Sequence, residues 1–232
     1  MSNQTIASLS CPTDPGIRVA RGVCSYAFSR GDYIGVDAGT GRDSQDGNGL
    51  FASQRTYSFQ DVLDGTSNTI AFSERVQASF GRNGKGSPRI QEGCLTEVGA
   101  ITTNPGACLA AVAAISSGNM YTTWNLVKGK FSSTYCDGQP ENVGFNTVLS
   151  PNSPSCGNDN NNNSDCAVSL LSASSYHPGG VHCLMTDGSV LFVSESIDTG
   201  NVGVATARSA ASPYGVWGAL GTRGGGESVG KF

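Results

Sequence analysis

Charge is scarce in this chain. Asp, Glu, Lys and Arg make up 14% of 232 residues, and 18 acidic against 14 basic side chains leave a net charge of −4. No basic stripe is available to follow a phosphate backbone, which excludes nucleic acid as a partner class. Histidine is scarcer still: His177 and His182 are the two in the sequence, so any imidazole chemistry must run through them. No C-x-x-C pair, G-x-S-x-G elbow, phosphate-binding loop or dinucleotide fingerprint is present. Long apolar runs are missing too. The longest, Cys108 to Ile115, falls far short of the roughly 20 residues that cross a membrane as a helix. No export signal is present either.

What is present is glycine, at 32 residues, with abundant Ser, Thr and Asn. That composition favours strands, turns and long loops over helices. The length suits one β-rich domain with a real core. Eight cysteines are spread along the chain without metal-ligand spacing, which argues for disulfides and an oxidising compartment. Cys156 and Cys166 bracket a polar loop with five asparagines between Asn158 and Asn163. Closing that loop is the first expected pairing, and Cys94 with Cys108 is the second. An exported disulfide protein needs an export signal, so the natural chain is expected to begin upstream of Met1.

Along the chain, Val23–Phe28, Asp32–Val36 and Asn68–Val76 read as strands. Phe59–Leu63 reads as a helical turn stopped at Asp64-Gly65, with Thr66, Ser67 and Asn68 capping it. Asn104-Pro105 starts a helix through the Ala-rich stretch to Ile115. Phe131–Tyr135 and Gly144–Leu149 are possible strands, and Val202–Ala211 a short helix. Around Asp187-Gly188, a two-residue type I′ turn would pair Thr186 with Ser189 and Cys183 with Phe192. Both faces of that hairpin are then apolar, which places it centrally, covered on both sides. The expected fold is α+β, predominantly antiparallel sheet, with an irregular disulfide-stapled insertion at 77–172 inside a single domain spanning 1–232.

His177 admits three roles: a catalytic base, a metal ligand, or a turn residue whose ring is satisfied structurally. We favour the last. His182 is expected to be partly buried in its strand. His177, His182 and Cys183 form His-x4-His-Cys, a spacing that does not bring three ligands together on a turn and strand. Ser175 and Ser189 lie near His177, but with no elbow motif a Ser-His-Asp hydrolase has no support, and no catalytic residue is assigned. Glu74 ends a strand expected to be partly buried, so it should pair with an arginine or with His177.

Three stretches together resemble a bacterial family of pseudopilin-like proteins. They are Leu9-Ser-Cys-Pro-Thr-Asp-Pro15, Phe59 to Glu74 with Asp64-Gly-Thr-Ser-Asn-Thr69 inside it, and His177 followed after nine residues by Asp187-Gly188. The tail from Tyr214 to Glu227 is similar to the family's ending. Such proteins start with a prepilin-type leader and a long hydrophobic helix and carry a C-terminal H-X9-DG signature. The resemblance implies a non-enzymatic pilin-like head at the cell surface or outside the cell, lacking that helix here. Its partners would be other pilin-like subunits or surface components, with a glycan or protein ligand possible and membrane contact only through the missing helix.

Calcium is the one cofactor with a sequence basis. Asp159, Asn161, Asn163 and Asp165 place oxygens at alternate positions, like the first half of an EF-hand loop, but without its glycine and closing glutamate. Asp37, Asp43, Asp46 and Asn48 form a second oxygen-rich loop. Calcium sites in related heads are also what the resemblance implies. Solvated polar loops are the favoured alternative. A calcium-dependent binding module is the competing function, for which Tyr121, Trp124 and Tyr135 are candidate contact aromatics.

Overall fold

The computed structural model describes residues 4, 6–15, 22–35, 47–52, 55–78, 89–129, 131, 135–159, 168–205, 210–227 and 229–230. In chain order the strands are β1 (Tyr26–Ser29), β2 (Ile70–Glu74), β3 (Cys94–Leu95), β4 (Ser116–Ser117), β5 (Met120–Tyr121) and β6 (Val127–Lys128). They continue as β7 (Gly144–Phe145), β8 (Ser155–Gly157), β9 (Ser169–Leu170), β10 (Gly180–Met185) and β11 (Val190–Ser194). The α-helices are α1 (Ala107–Ala113), α2 (Pro140–Val143) and α3 (Gly215–Gly221). The class is α+β with mostly antiparallel sheet.

The main sheet runs β11-β10-β2-β1-β7, and a second runs β6-β3-β8-β9. In the main sheet only β1 with β7 is parallel. Because side chains alternate across a strand, the main sheet has two different faces. Ala27, Val181, Cys183 and Val193 point inward and form one core with Trp217 and Leu220 of α3. The other face carries two rows. Tyr26, Glu74, His182 and Phe192 form one; Phe28, Phe72, Leu184 and Val190 form the other. Phe51 joins the second row, its ring 4.9 Å from Phe28 and 5.3 Å from Phe72. A further core, built largely from 95–170, surrounds Ile101, Cys108, Tyr121, Val148 and Leu170.

The glycine-rich tail is helical at α3, which the composition hid. Its glycines allow close approach: a Cβ on Gly221 would meet Thr147 Oγ1 at 1.7 Å, and one on Gly218 would meet Ser212 Oγ at 1.9 Å. The segment 77–172 is more than an insertion, since its β7 completes the main sheet beside β1. Of Asp32–Val36, the described residues 32–35 are not strand. The helix expected over Val202–Ala211 is not formed at 202–205, and 206–209 lie outside the described residues. The centre of Phe131–Tyr135 also lies outside them.

The expected hairpin register is corrected by one residue. His182 pairs with Phe192 and Cys183 with Leu191. The loop holds three residues: Gly188 N–H donates to Met185 O at 3.0 Å, Met185 N–H donates to Ser189 O at 2.8 Å, and Gly188 has φ +89°. This is a type I turn closed by a glycine bulge. The central position is also corrected. β11 is an edge strand, with Val190 60% and Phe192 49% exposed. Both faces of the hairpin are largely apolar in either register, so the pattern does not distinguish a central strand from an edge strand.

Both expected disulfides are replaced. Cys108 of α1 bonds Cys156 of β8, so Cys156 does not close the Asn-rich loop with Cys166 and Cys108 does not bond Cys94. Cys166 itself lies outside the described residues. The pairing follows from packing: α1 lies against the second sheet, where the two sulfurs share a core.

Candidate functional site

The middle of the first row of the outer face is polar and anchors a side-chain cluster. Glu74, the last residue of β2, lies beside His182 on β10, and its carboxylate is mostly buried. Its Oε2 accepts the His182 backbone N–H at 2.8 Å and lies 3.2 Å from His182 Nδ1. Its Oε1 lies 3.0 Å from His177 Nε2 and 3.6 Å from Cys11 Sγ. Cys11 Sγ lies 3.7 Å from the same His177 nitrogen, and Thr13 Oγ1 lies 3.4 Å from it. The two imidazoles meet edge to face at 4.8 Å between centroids.

Local structure fixes each member. His177 sits in the turn before β10. Its backbone N–H donates to Ser175 Oγ at 3.0 Å, and that hydroxyl donates to Gly180 O at 2.7 Å. The Cys-Pro-Thr-Asp turn is clamped by Asp14, whose Oδ2 accepts Ser25 Oγ–H at 3.0 Å and the Gln77 N–H at 2.9 Å. Asp14 therefore ties the turn to the chain just before β1 and just after β2, which carries Cys11 to the carboxylate of Glu74.

Cys11, Glu74 and His177 offer ligand atoms that all lie within 4.8 Å of one another. This trio is the metal-capable group among the described residues. The His-x4-His-Cys spacing does not bring three ligands together, as expected: Cys183 lies on the inner face, where its thiol donates to Ser73 Oγ at 3.5 Å and burial pushes it up to about 12. His182 is exposed on the outer face, where partial burial was expected. Cys11 escaped notice because 166 residues separate it from His177. Its only trace was membership of the first resemblance block.

The trio is not a nucleophile relay. A relay places the carboxylate on one ring nitrogen and the nucleophile on the other. Here Cys11 and Glu74 both face Nε2. The Ser175 hydroxyl is committed to the backbone.

A family model described as a protein of unknown function, DUF1559, matches residues 1–200. The chain belongs to the DUF1559 family. No curated protein and no solved structure matches it.

In this DUF1559 protein Asp64 does more than turn the chain. Its carboxylate accepts the Gly225 and Gly226 N–H groups at 2.8 Å each and the Thr222 hydroxyl at 3.1 Å, anchoring the tail. Asn68 Nδ2 donates to Asp64 O at 3.0 Å, one of the three caps expected of that segment, and Thr69 Oγ1, which was not expected to cap, donates to Gly65 O at 3.2 Å. Asp187 accepts the Ser189 N–H and hydroxyl, which hold its carboxyl below the usual range.

Of the calcium set, Asn161, Asn163 and Asp165 lie outside the described residues. Asp159 pairs with Lys128 at 2.7 Å, and Lys128 is also paired with Glu141 at 3.2 Å. Burial disfavours the ammonium, but Glu141 and Asp159 outweigh it and raise the Lys128 pKa. Of the second oxygen-rich loop, Asn48 hydrogen-bonds Asp32, and Asp37, Asp43 and Asp46 lie outside the described residues. The candidate aromatics do not share one surface: Tyr121 is core, while Trp124 is 38% exposed.

Proposed function

We propose that this DUF1559 chain is the globular head of a pilin-like subunit, a non-enzymatic structural protein displayed at a bacterial surface or in a secretion system. The observation that carries the reading is the outer face of the main sheet. Its Phe28, Phe51, Phe72 and Leu184 are not fully buried, and Val190 and Phe192 are exposed. An apolar face of this kind marks a surface that another element covers. Cys11 brings the N-terminal chain to one end of that face. A hydrophobic helix preceding this segment, as the pseudopilin resemblance implies, has a short path onto it. The Cys108–Cys156 bond suits an oxidising location, and no described helix is long and apolar enough to cross a membrane.

The calcium-dependent binding module is the weaker reading, since one of its four oxygen ligands is committed to Lys128. The test is expression from the full upstream reading frame. A leader, a hydrophobic helix, detergent-dependent extraction and filaments by electron microscopy are expected. An ordinary cleaved signal peptide that releases a monomeric head would overturn the reading.

A further inference from the structure

We propose that Cys11, Glu74 and His177 bind one divalent transition-metal ion of the zinc class, which latches the N-terminal turn to the end of the main sheet. The spacing carries the argument. With zinc bonds of roughly 2.3 Å to sulfur, 2.0–2.1 Å to nitrogen and 2.0–2.2 Å to oxygen, a tetrahedron has edges of about 3.6 Å for S to N, 3.6 Å for S to O and 3.4 Å for N to O. The corresponding separations are 3.7, 3.6 and 3.0 Å. The three atoms thus already approximate one triangular face around a common centre. The shared use of His177 Nε2, which rules out a relay, is what a common centre requires.

The donor chemistry selects the ion. A thiolate with an imidazole suits zinc or cobalt and does not suit calcium. Binding releases the Cys11 thiol proton to the buffer. His177 then offers its Nε2 lone pair with its proton on Nδ1, and Glu74 enters as the anion. Thiolate and carboxylate together cancel the ion's two charges, which favours a site this poorly solvated. His182 is the positioning residue: its N–H and ring hold Oε2, turning Oε1 toward the centre. Thr13 Oγ1 lies 3.1 Å from Cys11 Sγ and 3.4 Å from His177 Nε2, and the His177 side chain is 25% exposed.

The test uses the reduced full chain, stripped with chelator and titrated with zinc or cobalt. One equivalent should bind, with a thiolate-to-cobalt charge-transfer band and tetrahedral d–d bands. Cys11→Ser should lose the charge-transfer band, and His177→Gln should weaken zinc at least about tenfold. His182→Gln should weaken it about ten- to a hundredfold, and Cys183→Ser should leave it unchanged. If a ligand variant does not fold, peptide mapping of the unmutated chain replaces it: zinc should protect Cys11 from alkylation. No stoichiometric binding, a charge-transfer band that survives Cys11→Ser, alkylation of Cys11 unaffected by zinc, or Cys11 found disulfide-bonded to Cys24 would each overturn the proposal.

Discussion

Glu74 is a buried carboxylate surrounded by four donors: the rings of His177 and His182, the His182 backbone and the Cys11 thiol. Glu74→Gln keeps the shape but offers one acceptor oxygen, and its amide NH2 must face a donor. A buried donor left unsatisfied costs about 1–3 kcal/mol. Glu74→Gln in metal-free protein should therefore lower stability by about that amount, measured by urea unfolding. No loss would mean that the cluster adds nothing to the fold. Cys183 gives a pH prediction. Its thiol is ordinarily at 9.0, and burial raises it to about 12 in the folded protein. A raised folded value means the neutral thiol is favoured by folding. This contribution is complete below pH 9 and is lost as pH rises from 9 toward 12. Alkaline titration of stability should show a fall in that window that shrinks in Cys183→Val. An equal fall in both proteins would remove Cys183 as its cause.

Elements explain which parts of the fold were legible before the structure. The Asn68–Val76 strand and the Ala-rich helix follow from alternation and helix-forming composition, which act within a few residues, although the helix is capped at Gly106 without a side-chain bond and not at Asn104. Glu74 was expected on an arginine or on His177, and only the folded chain, across 103 residues, selects His177. The hairpin register is not set locally either. Asp187-Gly188 fits a type I′ turn and a bulged turn equally well, and only the ladder with β2 distinguishes them. The disulfide was hidden for a related reason. Cys108 and Cys156 are 48 residues apart, and loop composition pointed to the nearer Cys166. Both elements are testable. Gly188 sits at φ +89°, so Gly188→Val should cost at least about 1–2 kcal/mol in thermal or urea unfolding. Loop closure over that separation gives the disulfide about 4 kcal/mol. Cys108→Ala with Cys156→Ala should lose much of it, while exposed Cys136→Ala should leave unfolding unchanged. Equal stability with and without the bond would show that it constrains nothing in the unfolded chain.

At the scale of the whole molecule, two cores must act as one. The coupling runs through α3. Trp217 is fully buried in the core of the main sheet, while its indole N–H donates to Leu149 O at 2.8 Å. The Leu149 side chain belongs to the other core. No local pattern announces this link, because the glycines beside Trp217 read as a loop and their role appears only against Thr147 and Ser212. Trp217→Phe keeps most of the apolar area but leaves a buried carbonyl without its donor, at a cost of about 1–3 kcal/mol. Trp217→Ala adds a cavity and should cost about 3–5 kcal/mol. The larger effect should be on cooperativity. Trp124 is the other tryptophan of the chain. It lies between β5 and β6, where its carbonyl accepts the Val127 N–H at 3.0 Å, so in Trp217→Ala its fluorescence reports on the loop beside β6 of the second sheet. Denaturant curves from Trp124 fluorescence and from far-ultraviolet dichroism should coincide in Trp217→Phe and separate in Trp217→Ala. Coincident curves in both variants would place the coupling in the remaining contacts, such as buried Arg75, which donates to Gly144 O and stacks 3.5 Å over Phe131.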